Sequence, residues 1–381
     1  MGITRTNRYR LKDRKRFLPG LLLNEGFFHE VIKPIIDSHF PNLHYDAALT
    51  GHCSDALGFD TYISMDHYWG PRAIIFLSKK DHPKIAENLK SIVRQNLPES
   101  YKGFPTNWNF YLSDNGHRPE FSPDGQIDPN LSIETVGQFV HEELGVEYPQ
   151  SLSSKDWLTF SEQELLHLTT GKVFHNTLHE LEKMRASFRY YPHEIWLFKM
   201  RSLWKSIAEE QAFVGRCHDV KDELGERLIA TRITNKLMKL CFYLEKSFYP
   251  YSKWFGTGFS KLDCAKELTP IFDEILSANS YKKREQSLCG AYIKMVKKHN
   301  GLKITEPLPL EIIDYYQRGY KGYQTNQIVD ALTKSISPEF WNELGSVDLE
   351  KKDNRVFEIE PLLDDSNHVR NSKILRRIIM R

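Results

Sequence analysis

The sequence predicts an α+β protein in which a small mixed-sheet domain precedes an all-α helical bundle. Up to about residue 150, short apolar runs of strand length alternate with helical patterns, whereas helical periodicity dominates from residue 161 to about residue 299. The 381 residues are enough for two domains. We expect a basic arm over residues 1–19, the α/β domain over 20–150 and the helical domain over 151–381.

The composition is that of a soluble globular protein, with 40% hydrophobic and 27% charged residues. No window approaches the roughly 20 apolar residues of a membrane span. The five cysteines are widely spaced without a CxxC pair, which argues against a disulfide framework or a zinc ribbon. We therefore expect a cytoplasmic protein that does not enter a membrane, and we leave its oligomeric state open.

Charge is unevenly distributed along the chain. Residues 1–150 carry 16 basic and 19 acidic side chains, whereas residues 151–381 carry 36 and 31. Much of the positive charge in the first part lies in the arm Arg5–Arg16, which suits either contact with nucleic acid or a solvated tail. An acidic first domain is compatible with metal binding, and a mildly basic helical domain with phosphate contacts.

The elements of the first domain follow from apolar periodicity, with prolines and glycines at their boundaries. In chain order we predict a helix over 21–40, a strand over 45–49, a strand over 72–77, a helix over 82–97, a strand over 108–112, a strand over 131–135 and a helix over 136–144 that stops at Gly145. The second domain is predicted to be helical throughout. Its helices are expected over 161–187, 192–214, 219–248, 263–277, 281–299, 309–318 and 324–335.

The candidate site lies between the first two predicted strands. A turn rich in small and polar residues, Gly51 to Asp55, follows the first strand, and small residues at such a turn leave backbone N–H groups free to face a phosphate. The carboxylates of Asp55, Asp60 and Asp66 come next, and such groups hold the Mg²⁺ that accompanies a nucleotide. The combination is typical of phosphoryl or nucleotidyl transfer.

This stretch, GHCSDALGFDTYISMDHYWGPR, resembles the nucleotidyltransferase superfamily in a variant found in the domain-of-unknown-function 4037 family. Two later blocks resemble the helical half of that family: WKSIAEEQAFVGRCHDVKDELGERLIATRI (residues 204–233) and YSKWFGTGFSKL (residues 251–262). The resemblance covers most of residues 20–265. It implies a nucleotidyltransferase-like first domain with phosphate contacts from Ser54 and Mg²⁺ at Asp66.

Two residues depart from the superfamily pattern. Cys53 stands where a glycine is usual, and Tyr68 replaces the second carboxylate of the Asp-x-Asp triplet that begins at Asp66. A phenol is a poor ligand for Mg²⁺, a hard ion that prefers charged oxygens. Three explanations stay open: Asp60 or Asp55 supplies the missing ligand, one carboxylate acts with substrate phosphates, or the site is degraded.

Other side chains near this stretch have two interpretations each. Glu134, on a later predicted strand, is either the third carboxylate that activates the acceptor or a solvent-facing residue. Arg72 either binds phosphate or pairs with a nearby aspartate. Trp69 either stacks on adenine or packs in the core.

In the helical domain, Arg216 and Lys221 lie beside a helix break predicted at Gly215. By analogy with related antibiotic adenylyltransferases, we expect them to meet the triphosphate. The simpler interpretation is a charged helix surface, as the Glu223 and Arg227 spacing indicates.

The sequence therefore predicts Mg²⁺-dependent transfer of a nucleoside monophosphate, with ATP as the favoured donor of AMP, to an unidentified hydroxyl acceptor. The alternative is a nucleotide-binding or regulatory protein that keeps the fold without the chemistry. An RNA-binding role ranks last, because no RNA-recognition motif with interleaved aromatic residues occurs.

Overall fold

The computed structural model describes residues 17–51, 53–66, 69–106, 109–113, 116–120, 130–315 and 317–344, with the backbone alone for Asp66 and for the two segments within 109–120. The predicted basic arm lies outside the described residues, apart from residues 17–19. The chain divides into two compact units: a first unit of residues 1–151 and 164–189, and a second unit of residues 152–163 and 190–381. The predicted α+β class is confirmed.

The secondary structure within the described residues is as follows. The helices are α1 (Gly20–Phe27), α2 (Lys33–His39), α3 (His82–Asn96), α4 (Val136–Leu144), α5 (Ser154–Thr159), α6 (Glu162–Thr169), α7 (Glu180–Ser187), α8 (His193–Asp219), α9 (Glu223–Leu244), α10 (Ser252–Phe259), α11 (Ala265–Ser277), α12 (Tyr281–Leu302), α13 (Thr325–Ser335) and α14 (Pro338–Glu343). A π-helical turn, Phe28–Ile32, joins α1 to α2, and Tyr62–Asp66 form a 3₁₀ turn. The strands are β1 (Tyr45–Leu49), β2 (Ala73–Leu77), β3 (Ser100–Tyr101), β4 (Phe104–Pro105), β5 (Asn109–Ser113), β6 (Gly116–Glu120), β7 (Leu131–Glu134), β8 (Lys172–Asn176), β9 (Ile312–Tyr315) and β10 (Tyr320–Tyr323).

The first unit is built on a mixed sheet with the strand order β7-β2-β1-β8. Strand β2 is antiparallel to β1, with Ala48 opposite Ile74, and parallel to β7, with Ala73 opposite Leu131. The end of β1 and the beginnings of β2 and β7 therefore lie at the same end of the sheet. Three of the predicted strands are confirmed here, whereas the one predicted over 108–112 pairs with β6 in a separate ladder.

One face of this sheet carries the hydrophobic core of the first unit. Alternate residues of the strands, such as Ala47 and Ile75, point to one face because side chains alternate along a strand. Phe27 of α1 and Leu89 of α3 belong to the same buried cluster. Helix α1 therefore covers the same face of the sheet to which Ala47 of β1 and Ile75 of β2 point.

The single helix predicted over 161–187 is wrong, because α6 ends at Thr169 and α7 begins at Glu180. Residues 172–176 form strand β8, which pairs with β1 and draws residues 164–189 into the first unit. Asp46 of β1 is fully buried and accepts the backbone N–H groups of residues 178–181 at 2.9–3.2 Å. These hydrogen bonds fix the start of α7, the helix that follows β8. The pairing joins residues far apart in the chain, and local periodicity does not report it.

The second unit consists mainly of helices. Helices α9 and α13 both pack along α8, and α12 packs along α11. Trp204 of α8 and Leu237 of α9 are fully buried. The helix predicted over 309–318 is wrong, because β9 and β10 form an antiparallel hairpin there. The break predicted at Gly215 is also wrong: α8 continues to Asp219, and Gly215 allows the ring of Tyr320 to lie close against the helix.

Within the part of the chain that the structure describes, no helix is both long and apolar enough to cross a bilayer.

Candidate active site in the first unit

A turn over residues 53–58 follows β1 and begins just after Gly51. Gly51 has a φ of +107°, and its N–H donates to the carbonyl of His167 at 3.3 Å. The carbonyls of Cys53 and Ser54 accept from Leu57 and Phe59 at 3.3 and 2.8 Å. Among the described residues, the N–H groups of residues 53–55 have no acceptor. Consecutive backbone N–H groups of this kind are suited to contact an anion.

Asp55 and Arg72, two residues that the sequence assigned to metal and phosphate, bind each other. Arg72 Nη2 lies 2.7 Å from Asp55 Oδ1, and both side chains are buried. The N–H of Ala56 donates to the same oxygen at 2.9 Å. Of the two interpretations of Arg72, the structure shows the salt bridge. The other oxygen, Asp55 Oδ2, is buried and has no hydrogen-bond partner among the described residues.

Asp60 holds the start of α1. Its Oδ2 atom accepts the N–H of Gly20 at 2.7 Å and the indole N–H of Trp69 at 2.9 Å. Trp69 is 3% exposed and packs between the rings of Phe17 and Phe104, so the structure shows its core role. The hydrogen bonds of Asp60 explain why a carboxylate stands in this loop without any need for a metal.

The described side chains do not fit a magnesium site. Asp55 faces a guanidinium group, which repels a divalent cation, and Asp60 is engaged by two donors. No group of three or more His, Cys, Asp or Glu residues within the described ranges could hold a metal ion. The backbone of Asp66 ends the 3₁₀ turn at residues 62–66, whereas its side chain and the residues His67 and Tyr68 lie outside the described residues. The magnesium prediction therefore depends on Asp66.

Cys53 is not an activated nucleophile. Burial is the main reason that the pKa of its thiol is raised to about 11; the guanidinium of Arg72 opposes this increase and the carboxylate of Asp55 contributes to it. A thiol with this pKa is protonated at neutral pH, and only the thiolate is strongly nucleophilic. Cys53 thus contributes its backbone N–H to the turn rather than covalent chemistry.

Glu134 has the pKa expected of a general base but not the expected position. Burial raises its pKa to about 7, and Glu142 and Glu143 add to the increase, while the hydroxyl of Ser132, which donates to it at 2.8 Å, opposes the increase. A pKa near neutrality suits proton transfer.

The register, however, places Glu134 opposite Phe76, three residues past Leu131 and so about 10 Å along the strand from the end that carries the turn. Its side chain points away from the face covered by α1. The structure therefore does not bring Glu134 to Asp55, Asp60 or Arg72.

Arg216 and Lys221 belong to the second unit. Arg216 lies on the last turns of α8, where its exposed guanidinium is 5.4 Å from the centre of the Phe213 ring. Lys221 lies between α8 and α9 with a φ of +60° and an exposed side chain. Both residues occupy a surface, as the simpler interpretation of this stretch expects.

The sequence analysis missed Asn24, which organises the site from α1. This buried side chain accepts the backbone N–H of Arg72 at 2.6 Å and donates to the carbonyl of Gly20 at 2.8 Å. It thereby ties the start of β2 to the helix that Asp60 caps. An asparagine at the helical spacing of the buried residues Gly20, Leu23 and Phe27 is the signal that could have identified it.

Residues 157–255 match the model of a family described as domain of unknown function (DUF4037). The resemblance to that family is confirmed over these residues, which do not include the turn after β1. No curated protein matches the chain. Among solved structures, the chain is similar to a nucleotidyltransferase-like protein from Exiguobacterium sibiricum 255-15, with 8% sequence identity over 84% of this chain and 92% of that chain and a TM-score of 0.31.

Proposed function

We propose that the first unit binds a nucleotide at the turn after β1 and transfers its nucleoside monophosphate, AMP from ATP, to a hydroxyl acceptor. The observation that carries the proposal is that the N–H groups of residues 53–55 have no acceptor within the described part of the chain, which suits them to phosphate oxygens. The buried pair of Asp55 and Arg72 would keep this turn rigid. The sequence resemblance of residues 51–72 to nucleotidyltransferases supports the same assignment.

In this reaction the acceptor oxygen attacks the α-phosphorus and forms a new P–O bond. The bond to the bridging oxygen of the β-phosphate breaks, pyrophosphate leaves with the electron pair, and the hydroxyl proton passes to a base. The turn amides and the hydroxyl of Ser54 would orient the phosphates, and positioning supplies much of the catalysis in such transfers. Glu134 lies too far from this turn to accept the proton of a hydroxyl that attacks a phosphate held there.

A second candidate is nucleotide binding without transfer. The specific observation in its favour is that Asp55 and Asp60 are both committed to protein partners, so they do not replace the carboxylate that Tyr68 displaces. In that case the nucleotide would act as a regulatory ligand. Both candidates predict binding at the same turn, and only turnover separates them.

Binding is tested by thermal unfolding with ATP, in the presence and absence of Mg²⁺. A ligand at about 100 times its Kd stabilises the fold by about 2.7 kcal/mol. The diagnostic variant is Gly51→Ala, which distorts the turn because of the positive φ. The matched control is Gly319→Ala in the second unit, whose φ is +81° and which likewise has no atom within 4 Å of an added Cβ.

We expect ATP to stabilise the wild type and the control but not Gly51→Ala. Transfer is then tested with ATP labelled in the α-phosphate and a panel of hydroxyl acceptors. Labelled product would establish the enzyme. ATP binding without pyrophosphate release for any acceptor of the panel would favour the regulatory protein. An absence of any ATP effect on the wild type would remove both candidates.

A further inference from the structure

The second unit contains a polar cavity between α8, α12 and the β9–β10 hairpin. Its volume is about 10 Å³, which is room for one water-sized group, and it opens to solvent. The side chains that shape it combine aromatic rings with hydrogen-bonding groups: Gln211, Tyr281, Glu285, Tyr292, Tyr315 and Tyr320. All of them belong to one unit, and none takes part in the site proposed above.

Two buried polar atoms in this cavity lack partners. Gln211 is 8% exposed and Tyr292 is 2% exposed, yet neither Gln211 Oε1 nor the Tyr292 hydroxyl has a hydrogen-bond partner among the described residues. Leaving such groups unsatisfied costs about 1–3 kcal/mol each in a folded protein. A native structure tolerates this where an unseen water or ligand completes the hydrogen bonds.

The hydrogen bonds around Gln211 show which end of its amide faces the cavity. The Tyr315 hydroxyl donates its proton to the carbonyl of Tyr323 at 2.7 Å. The amide nitrogen of Gln211 donates to the oxygen of the Tyr315 hydroxyl and to the hydroxyl of Thr325, the latter at 2.6 Å. The remaining amide oxygen is therefore an acceptor that needs a donor.

The space beside this oxygen depends on a glycine. A Cβ added to Gly322 would lie 2.9 Å from Gln211 Oε1, which is closer than real Cβ contacts. The carboxylate of Glu285 lines the same cavity. Its Oε1 atom accepts the Tyr281 hydroxyl and the backbone N–H of Lys321, the latter at 2.7 Å.

We infer that this cavity binds a primary ammonium group, the head of a small amine. Gln211 Oε1, the lone pairs of the Tyr292 hydroxyl and the carboxylate of Glu285 are all acceptors, and an ammonium group supplies three donors. Glu285 and Lys321 both line the cavity, so their formal charges balance, and it is the acceptors without a donor, Gln211 Oε1 and the Tyr292 hydroxyl, that favour a group rich in N–H donors.

The test is a titration of the full-length protein with methylammonium chloride through the millimolar range. Sodium chloride and tetramethylammonium chloride serve as ionic-strength controls, because neither cation can donate a hydrogen bond. The reporters are the side-chain amide signal of Gln211 and the backbone amide of Lys321 in ¹⁵N-labelled protein. We expect saturable shifts with methylammonium alone.

Two variants localise the effect. Tyr292→Phe removes a hydroxyl that makes no hydrogen bond within the described residues, so the protein should melt at the same temperature or higher while the Kd for methylammonium rises at least about tenfold. Gly322→Ala should abolish binding by filling the space. Gly290→Ala on α12 has nothing within 4 Å of the added Cβ and should bind as the wild type does.

Equal shifts with all three salts, or no saturation with methylammonium, would overturn the inference and leave a bound water as the partner of Gln211. Unchanged affinity in Tyr292→Phe would also overturn it. Because the reporters lie in the second unit and no nucleotide is added, the result is independent of the function proposed for the first unit.

Discussion

The buried pair of Asp55 and Arg72 allows a quantitative test of how the candidate site is held together. The perturbations are Asp55→Ala, Arg72→Met and the double variant. Each single change removes one charge of a buried ion pair, in which the side chain of Asp55 is 1% and that of Arg72 is 8% exposed. Removing one partner of a buried pair costs about 3–5 kcal/mol of the free energy of unfolding.

The double variant should lose less than the sum of the two single losses, because no uncompensated charge remains. Residues in direct contact show interaction energies of about 0.5–3 kcal/mol, and we expect a value in the upper half of this range. The assay is urea unfolding followed by circular dichroism, with the free energies taken from shifts of the midpoint at constant slope.

The control cycle uses Lys33 and Asp37 on α2, whose side chains are 32% and 55% exposed at a separation of 2.6 Å. An exposed i, i+4 pair contributes only about 0.3–0.5 kcal/mol. If the cycle of Asp55 and Arg72 gives no more than this control, the pair does not organise the turn. The proposal that it keeps the phosphate-binding amides rigid would then be refuted.

Three further predictions concern groups outside that pair. Because the folded-state pKa of Glu134 is about 7 against an ordinary value of 4.5, the protonated form stabilises the fold, and that contribution is lost as the pH rises through 7. In denaturant titrations, the free energy of unfolding of the wild type should therefore fall by about 1–3 kcal/mol between about pH 5 and about pH 8. The variant Glu134→Gln should not show this fall. Asp46→Ala should cost about 2–4 kcal/mol and expose the amides of α7 to hydrogen exchange, because four N–H groups lose their acceptor, and Asp46→Asn should cost less. Gly215→Ala should lower the melting temperature by displacing the ring of Tyr320, whereas Gly290→Ala should not, and equal melting temperatures would contradict the close packing described for α8.

Elements whose signals are local could be read from the sequence. Helix α4 begins at the capping box of Thr135 and Gln138 and ends at Gly145, whose φ is +71°. These interactions span at most four residues, so sequence spacing contains the information. Strand β1 has the predicted bounds for a similar reason, since it is a short apolar run with a turn on each side.

Only the tertiary structure decided how the charged residues between β1 and β2 are used. A carboxylate such as Asp55 or Asp60 can bind a metal, a substrate or another part of the chain with equal local plausibility. The choice depended on which groups the packing of α1 against the sheet placed within hydrogen-bonding distance, here Arg72 for Asp55 and the N–H of Gly20 for Asp60. The same holds for β8, whose pairing with β1 joins segments more than a hundred residues apart, because such contacts depend on the whole fold rather than on neighbouring residues.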